Sequence, residues 1–201
     1  PDTIVPLEER GEPLTYRIRA SGDTIEFLAT DFIQVNDAAN QEIVDSVLHM
    51  LALTQTDRVL ELFCGLGNLT LPVASKVERV VGLDYDEKLV RRAKDNALFN
   101  HKDNVEFIRA DLTEAPVGEW PTSERFTKLL LDPPRSGALE ILSTIVPTLA
   151  PERIVYVSCN PETLARDAAT LTTGFGYRLE AIQVVDMFAH TGHVETIALF
   201  V

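Results

Sequence analysis

From Asp57 onward the chain alternates short apolar runs with longer amphipathic stretches, and this order constrains the fold more than any other feature of the sequence. Strands are predicted at 58–63, 79–84, 105–110, 128–131 and 153–158, and helices at 69–76, 87–100, 137–149 and 161–172. Strands that alternate with helices in this way give a mostly parallel sheet covered on both faces. The run 154–157 is β-branched or aromatic throughout, as expected of a strand buried on both sides. The end of the chain departs from the pattern: 177–187 and 193–201 read as two consecutive strands, an antiparallel pair on one side of the sheet. Ahead of the alternation, 15–19 and 24–29 read as a hairpin around Ser21-Gly22-Asp23. A helix over 38–53 follows, with Ile43, Val47, Leu48 and Leu51 on its apolar face, and 118–125 reads as a surface loop. Residues 1–30 are expected to be a short β segment left from a preceding region, and 31–201 one domain.

Two cysteines, no apolar run of membrane-spanning length and no signal peptide point to a reducing compartment, the cytoplasm. Cys64 and Cys159 both stand in loop-opening motifs, so no disulfide is expected, and two cysteines cannot by themselves hold zinc or an iron–sulfur cluster. His190 and His193 lack a third ligand nearby, so no metal is expected. The net charge of −13 argues against a broad electrostatic grip on nucleic acid and requires a local patch or another region for any such affinity.

Ligands of open α/β sheets bind beyond the carboxyl ends of the strands. Here those ends carry Glu61 with the loop Phe63-Cys-Gly-Leu-Gly-Asn68, then Asp84, Asp111, Asp132 and Cys159. Gly65 and Gly67 permit a tight turn with close backbone approach to a ligand, or simply a strand-to-helix turn. Thr70 stands where a dinucleotide fingerprint has its third glycine, which leans away from a nicotinamide cofactor. Asp84 is placed to accept from ribose hydroxyls, so an adenosine-containing cofactor is expected. Asp132-Pro-Pro-Arg135 is either a stiff loop suited to holding a flat ring or a strand terminator.

Cys159 closes a buried strand just before Asn160-Pro161, a preferred cap and first helical residue. A helix start favours a thiolate there, while a buried cysteine acting as a small hydrophobe is the plain alternative. Glu195 alternates with Ile197, Leu199 and Val201 on one strand face. A carboxylate so placed either has an ion partner or titrates high, which suits proton transfer.

Phe63-Cys-Gly-Leu-Gly-Asn, Leu131-Asp-Pro-Pro-Arg, Val157-Ser-Cys-Asn-Pro, His190-Thr-Gly-His-Val-Glu and Asp31-Phe-Ile-Gln-Val-Asn together resemble the S-adenosylmethionine-dependent RNA (uracil-5-)-methyltransferases, in the family's own order and over residue 31 to the end. The wording is nearest the bacterial 23S ribosomal RNA branch, with the tRNA branch second. The resemblance implies a class I methyltransferase fold: a Rossmann-like, doubly wound, mostly parallel seven-stranded sheet ending in the antiparallel pair. It implies Cys159 as nucleophile toward uracil carbon 6 and Glu195 as the base for the carbon-5 proton. Gln34, Phe63, Gly65, Asn68, Asp84, Asp111 and Asp132 would line the S-adenosylmethionine pocket, with Asp84 on the ribose and Asp111 near the adenine. Asp132 would lie between cofactor and uracil, and Arg135 would place the base or a phosphate. Family members also carry an N-terminal RNA-binding β-barrel, and many bind an iron–sulfur cluster there through four cysteines. Neither is found in these residues, so an isolated catalytic domain acting as a monomer on RNA is expected. Two other readings remain: an N-methyltransferase, in which an aromatic residue usually follows Asp-Pro-Pro where Arg135 stands, and a non-catalytic cofactor- or RNA-binding module.

Overall fold

The computed structural model describes residues 14–112, 124–187, 190–191 and 194–201. His193 and most of the loop expected over 118–125 lie outside them. A hairpin of β1 (Leu14–Arg17) and β2 (Thr24–Phe27) opens the described chain, followed by α1 (Asp37–Leu51). Then come β3 (Arg58–Leu62), α2 (Thr70–Ala74), β4 (Arg79–Asp84), α3 (Glu87–Phe99), β5 (Val105–Arg109), β6 (Lys128–Leu131), α4 (Leu139–Leu149), β7 (Arg153–Ser158) and α5 (Pro161–Ala169). A π-helical turn, Thr170–Gly174, leads to β8 (Leu179–Val185) and β9 (Glu195–Phe200).

The sheet has seven strands in the order β5-β4-β3-β6-β7-β9-β8. The first five are parallel, and β9 runs antiparallel to both β7 and β8. Strand order reverses between β3 and β6, the kind of switch point where α/β sheets open a crevice at their carboxyl ends. Two apolar layers cover the faces: α1, α2 and α3 supply Ile43, Val47, Leu71 and Ala93 to one, α4 and α5 supply Ile141, Leu142 and Leu164 to the other. The fold is the doubly wound, mostly parallel arrangement expected, with the antiparallel pair at its end.

Local signals account for the helix starts. Asn36 caps α1 by accepting from Ala39 N, Asp86 caps α3 by accepting from Lys88 and Leu89 N, and Asn160 caps α5 by accepting from Glu162 N with Pro161 next. Where the structure differs from expectation, backbone chemistry is the reason. The helix predicted over 69–76 is only the five residues of α2. Gly137, at φ +80°, lies outside α4, and the end predicted for α5 widens into the π turn.

The β1–β2 hairpin is tied to α3 by two asparagines that mimic a neighbouring strand. Asn96 exchanges hydrogen bonds with the Glu26 backbone and Asn100 with the Thr24 backbone. Ile18 and Ile25 are fully buried against the same layer.

Candidate active site

The loop after β3 is shaped by backbone geometry that only some residues tolerate. Phe63, Gly65 and Gly67 all have positive φ, at 62°, 52° and 89°. Glycine adopts that region freely; a phenylalanine there is strained, and such strain collects at functional sites. A Cβ on Gly65 would meet nothing within 4 Å, whereas one on Gly67 would press on Phe107 at 3.3 Å. Gly67 therefore serves packing, and Gly65 faces open space beside the turn.

Asp84 closes β4 and fixes this turn. Its Oδ2 accepts from Gly65 N at 2.8 Å and its Oδ1 from Asp86 N at 3.0 Å. Each carboxylate oxygen keeps a further acceptor site for a ribose hydroxyl. Asn68 is engaged more fully than the sequence suggested. It exchanges two hydrogen bonds with Asn40, at 2.8 and 3.0 Å, and its Oδ1 also accepts from the Tyr16 hydroxyl at 3.0 Å. Asn40 and Tyr16 were not singled out in the sequence; partners 28 and 52 residues away leave no local pattern.

Gln34 is half-buried in the loop before α1. That loop is held at both ends: Asp31 pairs with Arg92 at 2.6 Å, and Asn36 Nδ2 donates to Met187 O at 3.2 Å. Asp111 is exposed just past β5, next to Ala110, whose N–H donates to Asp84 O at 2.9 Å.

Cys159 and Glu195 come together through strand register. Ser158 pairs with Thr196 at the last rung of the antiparallel β7–β9 ladder, Cys159 and Glu195 are the residues just beyond that rung, and the Glu195 charge acts on the Cys159 thiol. Glu195 is only 4% exposed, and both faces of β9 are buried, not one. Among the described residues no basic group pairs with it, so the ion-paired alternative finds no support there.

The electrostatics follow from this crowding. Burial pushes the Glu195 carboxyl up to about 7. Asp132 keeps part of its surface open, yet burial of its carboxyl, then the neighbouring Glu195, push it up to about 7. Glu61, buried near Asp132 and Asp84 with its Oε2 lacking a hydrogen-bond partner, is pushed up to about 8, chiefly by burial. The half-buried Cys159 thiol is also raised, by burial and then by Glu195 and Asp132, with Arg135 as the opposing charge. A helix start alone would have lowered it; burial, joined by the Glu195 and Asp132 carboxyls, reverses the direction, and those distant partners are not visible in the stretch around Cys159. Cys64 is buried and its thiol is pushed well up, so it is the inert cysteine of the two.

Glu61, Asp84, Asp132, Arg135, Cys159 and Glu195 thus form one cluster at the carboxyl ends of the strands, linked by contact or charge. Its carboxyls outnumber its cations, an arrangement that favours a positively charged ligand, and Gly65 leaves room for one. Such a donor set fits a sulfonium cofactor. Among the described residues no group of three or more His, Cys, Asp or Glu side chains forms a metal site.

A family model described as tRNA (Uracil-5-)-methyltransferase matches residues 15–201. A 23S rRNA (uracil(1939)-C(5))-methyltransferase RlmD of Alkalilimnicola ehrlichii is 51% identical over 94% of the chain and 42% of its own length. The RlmD of Vesicomyosocius okutanii is 49% identical over 100% of the chain and 45% of its own. The chain therefore spans a little under half the length of these curated relatives. Among solved structures, the tRNA (uracil-54, C5)-methyltransferase of Pyrococcus abyssi in complex with S-adenosyl-L-homocysteine superposes with a TM-score of 0.77 at 31% identity, over 93% of the chain and 44% of that protein. Trm5b from the same organism shares the fold, with a TM-score of 0.69 at 18% identity, over 94% of the chain and 55% of its own.

Proposed function

The chain belongs to the tRNA (uracil-5-)-methyltransferase family, and from that premise we propose that its protein methylates carbon 5 of a uridine in RNA, 23S ribosomal RNA foremost, through a covalent adduct on Cys159. The observation that carries the reading is that half-buried Cys159 and buried Glu195 flank the last rung of the β7–β9 ladder, with the charges of Glu195 and Asp132 acting on the Cys159 thiol.

Uracil carbon 5 is a weak nucleophile. Addition of the Cys159 sulfur, as thiolate, to carbon 6 places the electron pair of the ring double bond on carbon 5 as an enolate. S-adenosylmethionine, when bound, supplies an electrophilic methyl group, and S-adenosylhomocysteine is its product. Glu195 accepts the proton from carbon 5, the carbon 5–6 double bond re-forms, and the Cys159 sulfur departs as thiolate. A carboxyl raised to about 7 suits that work, being ready both to take a proton and to release it near neutrality.

Gln34, Phe63, Gly65, Asn68, Asp84, Asp111 and Asp132 would hold the cofactor, Asp84 by the ribose and Asp111 near the adenine. Asp132 and Arg135 would orient the uracil, which must leave its stack to reach Cys159. With its amide engaged by Asn40 and Tyr16, Asn68 would act by shaping the loop as well as by contact.

Ribosomal RNA is favoured by the names of relatives near 50% identity. A tRNA substrate is the second reading, favoured by the Pyrococcus abyssi structure and the family description. The reading also entails a cytoplasmic monomer; among the described residues no helix is long and apolar enough to cross a membrane. Any iron–sulfur cluster would require cysteines beyond Cys64 and Cys159.

The test mixes the protein and S-adenosylmethionine with 23S rRNA or tRNA fragments carrying 5-fluorouridine and records protein mass. Fluorine cannot leave as a proton, so a methylated RNA adduct mapping to Cys159 is expected. Methylation of ordinary uridine without any fluorouridine adduct would overturn the covalent route, and no transfer to either RNA would overturn the activity.

A further inference from the structure

Four side chains along one face of α5 hold the backbone that follows Asp132-Pro-Pro. Asn160 Nδ2 and Thr163 Oγ1 donate to Arg135 O at 3.0 and 3.2 Å, and Arg166 Nη2 donates to Ser136 O at 2.9 Å. Asp167 Oδ2 accepts from Ala138 N at 2.7 Å. Asp167 is 0% exposed; its Oδ1 accepts from Arg166 Nε and Nη2 at 2.8 Å each, and its Oδ2 also takes the Tyr156 hydroxyl at 2.8 Å. Gly137, at φ +80°, makes the fit possible, since a Cβ there would come within 2.6 Å of both Arg166 Nη2 and Asp167 Oδ2.

A buried aspartate is a costly way to gain stability, because an apolar side chain of similar size avoids the desolvation. What this one provides is geometry. Asp132 follows β6 directly and is anchored to the neighbouring strand β3, its N–H reaching Leu62 O at 3.4 Å. Arg135 lies three residues further on, exposed, with its carbonyl held from α5. Because α5 starts directly after Cys159, fixing the loop to α5 fixes Arg135 relative to the sulfur.

We propose that Asp167 is a positioning residue: with Arg166 it clamps the 135–138 backbone to α5, so that the Arg135 guanidinium stays beside Cys159 while the sulfur gives up its proton. This rests on reading Cys159 as the nucleophile. The groups facing that sulfur are Glu195 from β9 and Asp132 and Arg135 from the loop after β6; Arg135 is the one that favours the thiolate.

The decisive readout is the pH dependence of Cys159 alkylation by iodoacetamide, followed by peptide mass with buried Cys64 as internal reference; it needs no methyl transfer. Asp167→Asn should move the profile to higher pH, as should Arg135→Gln, and the double variant should move it no further than Arg135→Gln alone. Tyr156→Phe removes a partner of Asp167 that does not touch the loop, and should lower Tm while leaving the profile in place. In turnover, Asp167→Asn should lower kcat about tenfold to a hundredfold with KM for S-adenosylmethionine within about twofold. A lower Tm with an unmoved alkylation profile would make Asp167 merely structural and overturn the proposal. Should Asp167→Asn fail to fold, Arg166→Met at the exposed end of the clamp decides the matter by the same profile. A shifted profile in a protein that transfers no methyl group would leave the clamp standing and remove the activity instead.

Discussion

The two ends of the sheet treat the same residue types in opposite ways. At the amino ends of the strands, carboxylates are matched with cations. Glu124 bridges Arg58 at 2.8 Å and Arg79 at 3.0 Å, and Lys128 stands between Asp57 at 3.7 Å and Glu152 at 3.6 Å. Asp57 titrates below the usual carboxylate range: burial works to raise it but is outweighed by hydrogen bonds from Thr127 and Thr54 and by Lys128. At the carboxyl ends, Glu61, Asp132 and Glu195 are pushed up, to about 8, 7 and 7, chiefly by burial, with Asp132 also raised by Glu195 and Glu61 by Asp132 and Asp84. One end is neutralised within the chain. The other gathers buried carboxyls with raised pKa values and few cations, and perturbed groups of this kind cluster at working sites.

The strongest way to break the contrast is to remove the proposed nucleophile. Cys159→Ala should abolish methyl transfer while leaving S-adenosylmethionine affinity within about twofold, measured by calorimetry, since the loss falls on the covalent step. A large loss of cofactor affinity would mean that the cysteine is part of the scaffold.

Next comes Glu195→Gln, which should permit addition and methylation but stall elimination, so that a covalent RNA adduct accumulates and turnover falls by about a hundredfold or more. In the unsubstituted protein the rate of elimination from the methylated adduct, followed in a single turnover, should rise with pH through about 7 as Glu195 loses its proton. A variant that turns over normally would remove Glu195 from the chemistry.

Much of this was legible in advance because the information is local or periodic. The strand–helix alternation, the polar residue closing each strand, Cys159 before an Asn-Pro cap and Glu195 among apolar neighbours are all visible within a few residues. What escaped depends on distant partners. Nothing around Asn68 announces Asn40 or Tyr16, and nothing around Cys159 announces that β9 brings the Glu195 carboxyl near it. Asp167 did leave a signal: with Leu164 and Leu171 it lies on one stripe of α5 and the π turn, where an acid needs a buried partner.

A smaller effect sharpens the comparison through stability. An acid whose folded pKa lies above its unfolded value binds more protons when folded, so stability falls as pH rises from the unfolded value to the folded one. For Glu61, Asp132 and Glu195 that window runs from about 4 to about 8. Glu61→Gln should therefore raise stability at pH 8 by on the order of a few kcal/mol and leave it nearly unchanged at pH 4. Denaturant midpoints at the two pH values measure this, and an equal shift at both would place its origin in packing.

The smallest change belongs to the amino end. Glu124→Gln leaves Arg58 and Arg79 without their shared carboxylate, but all three side chains are partly exposed and solvent screens the loss. Destabilisation of about 1 kcal/mol or less is expected, shrinking further as salt rises, with methyl transfer unaffected. Asp57 adds the opposite pH dependence at this end: its folded pKa is depressed, so its contribution is present above the unfolded value and is lost as pH falls through the acid range. A loss of activity in Glu124→Gln, with stability intact, would mean that the paired end is coupled to the chemistry. The two ends could then no longer be treated as separate parts of the molecule.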